Sequence, residues 1–321
     1  MGDKTKKTVG DNAEGKTESR QVSLTSAWMF KLKRSAPVVG QWMPEALKRR
    51  VHRARYRRRI GQAWAARGDN PVRMPDAHRV DFMVAGTQKA GTSALMDLFS
   101  QHERVVVPVL KEPHFFDNDG FFGSDDIPVP EYHDAFPWEG KDKLYGEGTP
   151  RNMFARRCVE RIHRYNPDMR LICILRDPVE RAFSAWNMNH GMVEERDFAT
   201  LVEWERHAVA EHGPLQRGFV NYLSRGMYAH QVRHLRKHFP KEQLCFIRYR
   251  EFREDNEAVF KTVCRFLGLP ADVPGIQLKQ SNVYRYDSAL DLETEGALRA
   301  WFRPEVEDLE GLLGWDLSDW K

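Results

Sequence analysis

The stretch VDFMVAGTQKAGTSALMDLFSQH, residues 80–102, constrains the fold more than any other part of this chain. Its apolar opening reads as a strand, and TSALMDLFSQH, with Leu95 and Leu98 three apart, reads as a helix. GTQKAGTS joins them. A strand, a glycine loop and a helix N-terminus in succession make an anion cradle, because first-turn N–H groups lack partners and the helix dipole adds partial positive charge there. Gly86 and Gly91 let the backbone close around an anion, and Lys89 can reach across it. Ala90, Thr92 and Ser93 bring N–H groups, the last two with hydroxyls. An ATP-binding loop reads GxxxxGK[ST]; Gly86 and Gly91 keep that spacing, but Thr92 stands where its lysine belongs. Alone, the loop points to a phosphate-like group without fixing the ligand; the plainer reading is an ordinary turn with a chance lysine.

The pattern after residue 80 is α/β. RVVVPV is a candidate short strand, and LICIL (residues 171–175) is the wholly apolar run expected of an interior parallel strand. A helix over PVERAFSAWNMNH follows it, with proline in its first turn. QLCFIRY reads as a strand, and NEAVFKTVCRFLGLP as a helix stopped by Gly268 and Pro270. Alternating strands and helices predict a P-loop-like parallel sheet with helices on both faces, in a single domain over residues 80–321.

In RDPVERAFS, Arg176 closes the LICIL strand and Ser184 lies eight residues on. Ligands of parallel sheets bind at the carboxyl ends of strands, and a guanidinium suits phosphate oxygens. Arg176 and Ser184 are therefore candidates for a second phosphate grip; the alternative is an Arg176–Asp177 surface pair with Ser184 solvated. In VLKEPHFFDND, Glu112 and His114 are each placed to take a proton from a hydroxyl, with Phe115 and Phe116 as anchors. The plainer readings are a Lys111–Glu112 surface pair and a packed histidine.

GTQKAGTSAL resembles the 5′-phosphosulfate loop, and RDPVERAFS the 3′-phosphate motif, of sulfotransferases that use 3′-phosphoadenosine 5′-phosphosulfate (PAPS). The resemblance runs over residues 80–320, through LSRGMYAHQVRHLRKHFPKEQL to FRPEVEDLEGLLGWDLSDW. It implies PAPS as donor and PAP as product. Lys89 would then act at the oxygen bridging sulfur and phosphorus. Lys89, Ala90, Gly91, Thr92 and Ser93 would hold the 5′ end, and Arg176 and Ser184 the 3′-phosphate. EPHFF resembles the heparan-sulfate-type and related bacterial branch, which implies Glu112 as the base, with His114 second. LKQSNVYRYD lies where that family has a loop over the nucleotide, making Lys279 a further cofactor candidate. YGEGTPRNMF departs from the family: Gly148 replaces a lysine, whose contact is lost or moved to Arg151. Arg225 and Tyr228 in LSRGMYAHQ are either structural or acceptor-facing. The implied acceptor is a hydroxyl compound, a carbohydrate first, then a lipid or small metabolite.

Charge is unevenly spread. Residues 1–79 carry 19 Lys/Arg against 7 Asp/Glu, a net of +12, while the remaining 31 basic and 39 acidic residues give −8. Residues 1–25 are polar and expected to be disordered. Residues 26–79 form a basic arm and linker, with eight basic residues between Lys48 and Arg59. Such an arm is a candidate surface for polyanions or an anionic membrane face. The plainer reading is a solvated helix that packs Trp42, Leu47 and Val51 on the body. No specific nucleic-acid contact is expected.

Cys158, Cys173, Cys245 and Cys264 form no CxxC pair, and two sit in apolar runs, so free buried thiols and a cytoplasmic location are expected. The opening residues do not read as a secretory signal, and no run reaches the roughly 18 apolar residues of a membrane span. The histidines show no ligand spacing with carboxylates, and no metal is expected. The competing functions are a P-loop small-molecule kinase, which needs the lysine missing after Gly91, and a non-enzymatic polyanion- or membrane-binding module built on the arm.

Overall fold

The computed structural model describes residues 45–68, 72–122, 127–214, 221–277 and 289–321. The expected disordered tail, residues 26–44 of the arm with Trp42, and Lys279 lie outside the described residues.

Five parallel strands form one sheet in the order β2-β3-β1-β4-β5. They are β1 (Phe82–Gly86), β2 (Val105–Val106), β3 (Leu144–Gly148), β4 (Arg170–Leu175) and β5 (Leu244–Arg248). The helices among the described residues are α1 (Glu45–Arg67), α2 (Thr92–Phe99), α3 (Val129–His133), α4 (Arg156–Tyr165) and α5 (Pro178–Asn189). They continue as α6 (Phe198–His212), α7 (Tyr228–His238), α8 (Tyr249–Glu254), α9 (Asn256–Leu267) and α10 (Leu292–Leu313).

Successive strand residues face opposite ways, and both faces are covered. Phe82, Val84, Ile172, Ile174 and Ile247 pack with Leu95 and Phe99 of α2 and with Phe260 and Val263 of α9. Met83, Ala85, Leu171, Cys173 and Leu175 pack with side chains of α4, α5, α7 and α10. Each such large apolar side chain contributes about 1.5–3 kcal/mol when withdrawn from water, which is why β4 is apolar from Leu171 to Leu175. Gly268 ends α9 at φ 72°, the left-handed stop expected from the sequence.

The sequence reading assigns no strand to LYGEG, yet β3 pairs with β1 and β2. Its glycines are required by space: a Cβ on Gly146 would lie 2.1 Å from the Phe82 ring. The inward face of α1 is also a correction. Leu47 is 45% exposed and Val51 half-buried, whereas Tyr56 and Ile60 are buried. Tyr56 meets the Phe121 ring edge-on at 4.9 Å and lies 6.1 Å from the Phe115 ring, so α1 packs against the EPHFF segment.

Candidate active site

β3, β1 and β4 are neighbours, so the loops leaving their carboxyl ends converge. The loop after β1 is pinned to β4, because Thr87 donates to the Ile174 carbonyl from both N (2.9 Å) and Oγ1 (3.0 Å). Lys89 and Gly91 take φ of 71° and 80°. Gly91 is the helix cap residue in this left-handed conformation, which glycine adopts without steric cost. α2 then begins with no side-chain cap and no acid in its first turn, leaving its N–H dipoles aimed at the loop mouth. Burial, with the Arg176 charge alongside, pushes the Lys89 ammonium down to about 8. A site that depresses a lysine in this way gains by accepting an anion.

Arg176 sits at the end of β4, where Nη1 donates to the Lys89 carbonyl at 3.2 Å and its guanidinium lies 4.9 Å from the Tyr249 ring centroid. Its ion pair is with Glu180, at 3.0 Å, and not with Asp177. Asp177 instead caps α5, accepting from the N–H groups of Val179 (2.8 Å) and Glu180 (3.0 Å), and pairs with Arg299 at 3.0 Å. Ser184 lies two turns along α5 and is 1% exposed. Arg225 and Tyr228, left open by the sequence, both brace the loops. Arg225 Nη1 donates to Gln88, and the Tyr228 hydroxyl donates to the Arg176 carbonyl at 2.8 Å. Burial, with Arg181 and Arg151 nearby, lowers the Arg225 guanidinium to about 9.

The EPHFF segment contributes the third part. His114, at φ 53°, places Nε2 3.1 Å from Glu112 Oε2 and Nδ1 2.9 Å from Asp117 Oδ2. Burial opposes the imidazolium, but these two carboxylate bonds outweigh it and raise His114 to about 9. Both ring nitrogens face carboxylate oxygens, an arrangement that favours the imidazolium and makes Glu112 the acceptor of the pair. Arg151 Nε is 4.0 Å from Asp117, so the arginine suggested as a replacement for the missing lysine does reach this cluster. A Cβ on Gly148 would lie 2.5 Å from Met96 Cγ, so a side chain there must displace that methionine.

Two site residues escaped the sequence reading. Asp117 has a side chain only 5% exposed and lies three residues beyond His114, a spacing that gave a signal only once His114 was known to turn toward it. Glu147, at the end of β3, is fully buried; Thr149 Oγ1 donates to it at 2.6 Å, and burial lifts its carboxyl to about 7.

Residues 79–286 match the sulfotransferase domain family. The chain belongs to that family. Among its relatives, this sulfotransferase domain is 29% identical over 203 residues to human heparan sulfate glucosamine 3-O-sulfotransferase 3B1, covering 63% of this chain and 48% of that protein. It is 30% identical over 188 residues to the human 3A1 enzyme, covering 58% and 44%. The chain thus spans about half the length of these curated relatives. A sulfotransferase from Alicyclobacillus acidocaldarius superposes with a TM-score of 0.61 at 27% identity, over 76% of this chain and 99% of that one.

Within the sulfotransferase domain, Lys89, Ala90, Gly91, Thr92, Ser93 and Arg176 lie at the carboxyl edge of the sheet, with Glu112 and His114 on the segment that follows β2. A doubly anionic nucleotide fits this chemistry. The α2 N-terminus and Lys89 gather positive charge beyond β1 and Arg176 beyond β4, and Arg225 Nε is a buried donor without a partner. All four cysteines are free, with Cys158, Cys173 and Cys264 buried and Cys245 half-buried. Among the described residues, no helix is long and apolar enough to cross a membrane.

Proposed function

We propose that this chain transfers a sulfuryl group from PAPS to an acceptor hydroxyl by in-line displacement, with Glu112 as the base. The observation that carries this reading is the hydrogen-bonded row Glu112–His114–Asp117 on the sheet edge that also holds the Lys89 loop. The donor supplies an activated sulfuryl group. Glu112 takes the proton of the attacking hydroxyl, and His114, held by Asp117, fixes the carboxylate's orientation. Lys89 offsets the charge that grows on the departing phosphate oxygen, as the Thr92 and Ser93 N–H groups hold that end. Arg176 exchanges Glu180 for the 3′-phosphate, and Ser184 supports that grip. Arg151 stands in for the lysine that Gly148 replaces.

A carbohydrate is the favoured acceptor, on the strength of relatives named for heparan sulfate glucosamine. The basic helix supports an anionic one. α1 turns Tyr56 and Ile60 inward, Tyr56 toward Phe115 of the EPHFF segment, and leaves Arg50, Arg55, Arg58 and Arg59 exposed. The test is sulfate transfer from labelled PAPS to N-sulfated heparan chains, to a neutral glycan and to a simple phenol, beside calorimetric binding of PAP. Transfer to the anionic glycan with PAP bound supports the proposal. Failure to bind PAP, or tighter binding of Mg·ATP with phosphate transfer, would overturn it.

A further inference from the structure

Two helices that pack on each other, α4 and α7, carry a second, chemically distinct cluster. From α4 come Glu160 and His163, three residues apart; from α7 come His234 and His238, four apart. On a helix, residues at these spacings share one face. The spacing alone gave no signal, because the carboxylate and the histidine pair lie more than 70 residues apart in sequence.

The fold brings them together. One donor atom from each of Glu160, His234 and His238 falls within 4.8 Å of the others. The rings of His234 and His238 stand edge-to-face at 5.0 Å, and the His163 ring lies 5.7 Å from that of His238. Ligands at about 2.0–2.2 Å from a tetrahedral ion are somewhat closer to each other than this, so rotation of part-exposed side chains closes the set.

Three further features favour a cation. His238 is the last residue of α7, where the carbonyl end of the helix dipole faces outward. His234 Nε2 lies 3.2 Å from the Arg156 carbonyl, the kind of backbone partner that fixes a ligating imidazole and leaves Nδ1 its lone pair. The neighbouring Arg233 is neutralised by its ion pair with Asp308. Two imidazoles and a carboxylate, with solvent in a fourth position, are a donor set of intermediate softness that suits zinc better than calcium or magnesium.

We propose that Glu160, His234 and His238 bind a divalent transition-metal ion of the zinc class, which clips α4 to α7, with His163 packed against His238 to orient it. Its ligands on α7 lie toward the far end of that helix from Tyr228, about 9 Å (His234) and about 15 Å (His238) along it. It is a brace for the frame and takes no part in the reaction. Both braced helices follow directly on site segments, Arg151–Asn152 before α4 and Arg225 before α7.

The test is calorimetric titration of the full chain, freed of any histidine tag and stripped with chelator, with zinc chloride. Thermal melts with and without zinc accompany it. One zinc per chain is expected, with a higher melting midpoint in its presence. Glu160→Gln weakens binding by about tenfold or more and the His234→Ala/His238→Ala double variant abolishes it, while His230→Ala, one turn away on the same helix, keeps it. Glu160 is exposed, so its variant decides the matter should the double variant fail to fold. No saturable binding to the wild-type chain, or binding that Glu160→Gln leaves unchanged, overturns the proposal. PAP affinity is measured in parallel and is expected to stay the same, which keeps this outcome separate from that of the catalytic reading.

Discussion

His114 Nε2 lies 3.1 Å from Glu112 Oε2, and the bond ties the candidate base to an imidazolium and not to a neutral ring. Replacement of Glu112 by Gln keeps the shape and removes the proton acceptor. General-base catalysis is worth about 10²–10⁴-fold, so kcat should fall in that range while PAP affinity stays within a few-fold. Turnover within a few-fold of wild type would remove Glu112 from its assigned role.

His114 is raised above its ordinary value of 6.5 to about 9, so its charged form, and the stability it lends, is full below about pH 6.5 and lost as pH rises through about 9. At saturating donor, kcat should show an alkaline limb in that region. Asp117→Asn removes the main partner and should move the limb to lower pH with a reduced kcat. A limb that stays in place would show that Asp117 does not hold the imidazolium.

Lys89, lowered to about 8, is a cation only below that pH in the free protein. A bound anion restores its charge, so PAP affinity should weaken as pH rises through about 8, with proton uptake on binding above it. Calorimetry in buffers of different ionisation enthalpy measures that uptake, and Lys89→Ala should abolish it.

Glu147 behaves in the opposite sense to a paired carboxylate. Its folded value of about 7 exceeds the ordinary 4.5, so its contribution is fully present below about pH 4.5 and is lost as pH rises through about 7. Wild-type thermal stability should therefore decline between about pH 5 and 8. Glu147→Gln, which can keep the Thr149 contact, should flatten that decline. Equal slopes in the two proteins would refute it.

How much of this was legible beforehand depends on whether the signal was local. The β1 loop, Arg176 and the Glu112–His114 pair could be read because strand, loop and helix are contiguous and their chemistry is carried by the residues themselves. β3 could not, because Gly146 and Gly148 lack strand propensity and are there to admit Phe82 and Met96. The inward face of α1 was misread toward Leu47, since an arginine-rich helix gives little apolar periodicity and Tyr56 is chosen by the aromatic cluster it meets. Asp117, Glu147 and the α4–α7 histidines depend on contacts made by the folded chain, to which sequence spacing is blind.

The segment from Arg225 to Tyr228 is bonded at one end to Gln88 and at the other to the backbone of Arg176. The two cationic loops therefore cannot drift apart independently. Their separation belongs to the polypeptide, like the setting of a gauge, and a ligand that spans both loops should be sorted by the distance between its anionic groups as well as by their charge.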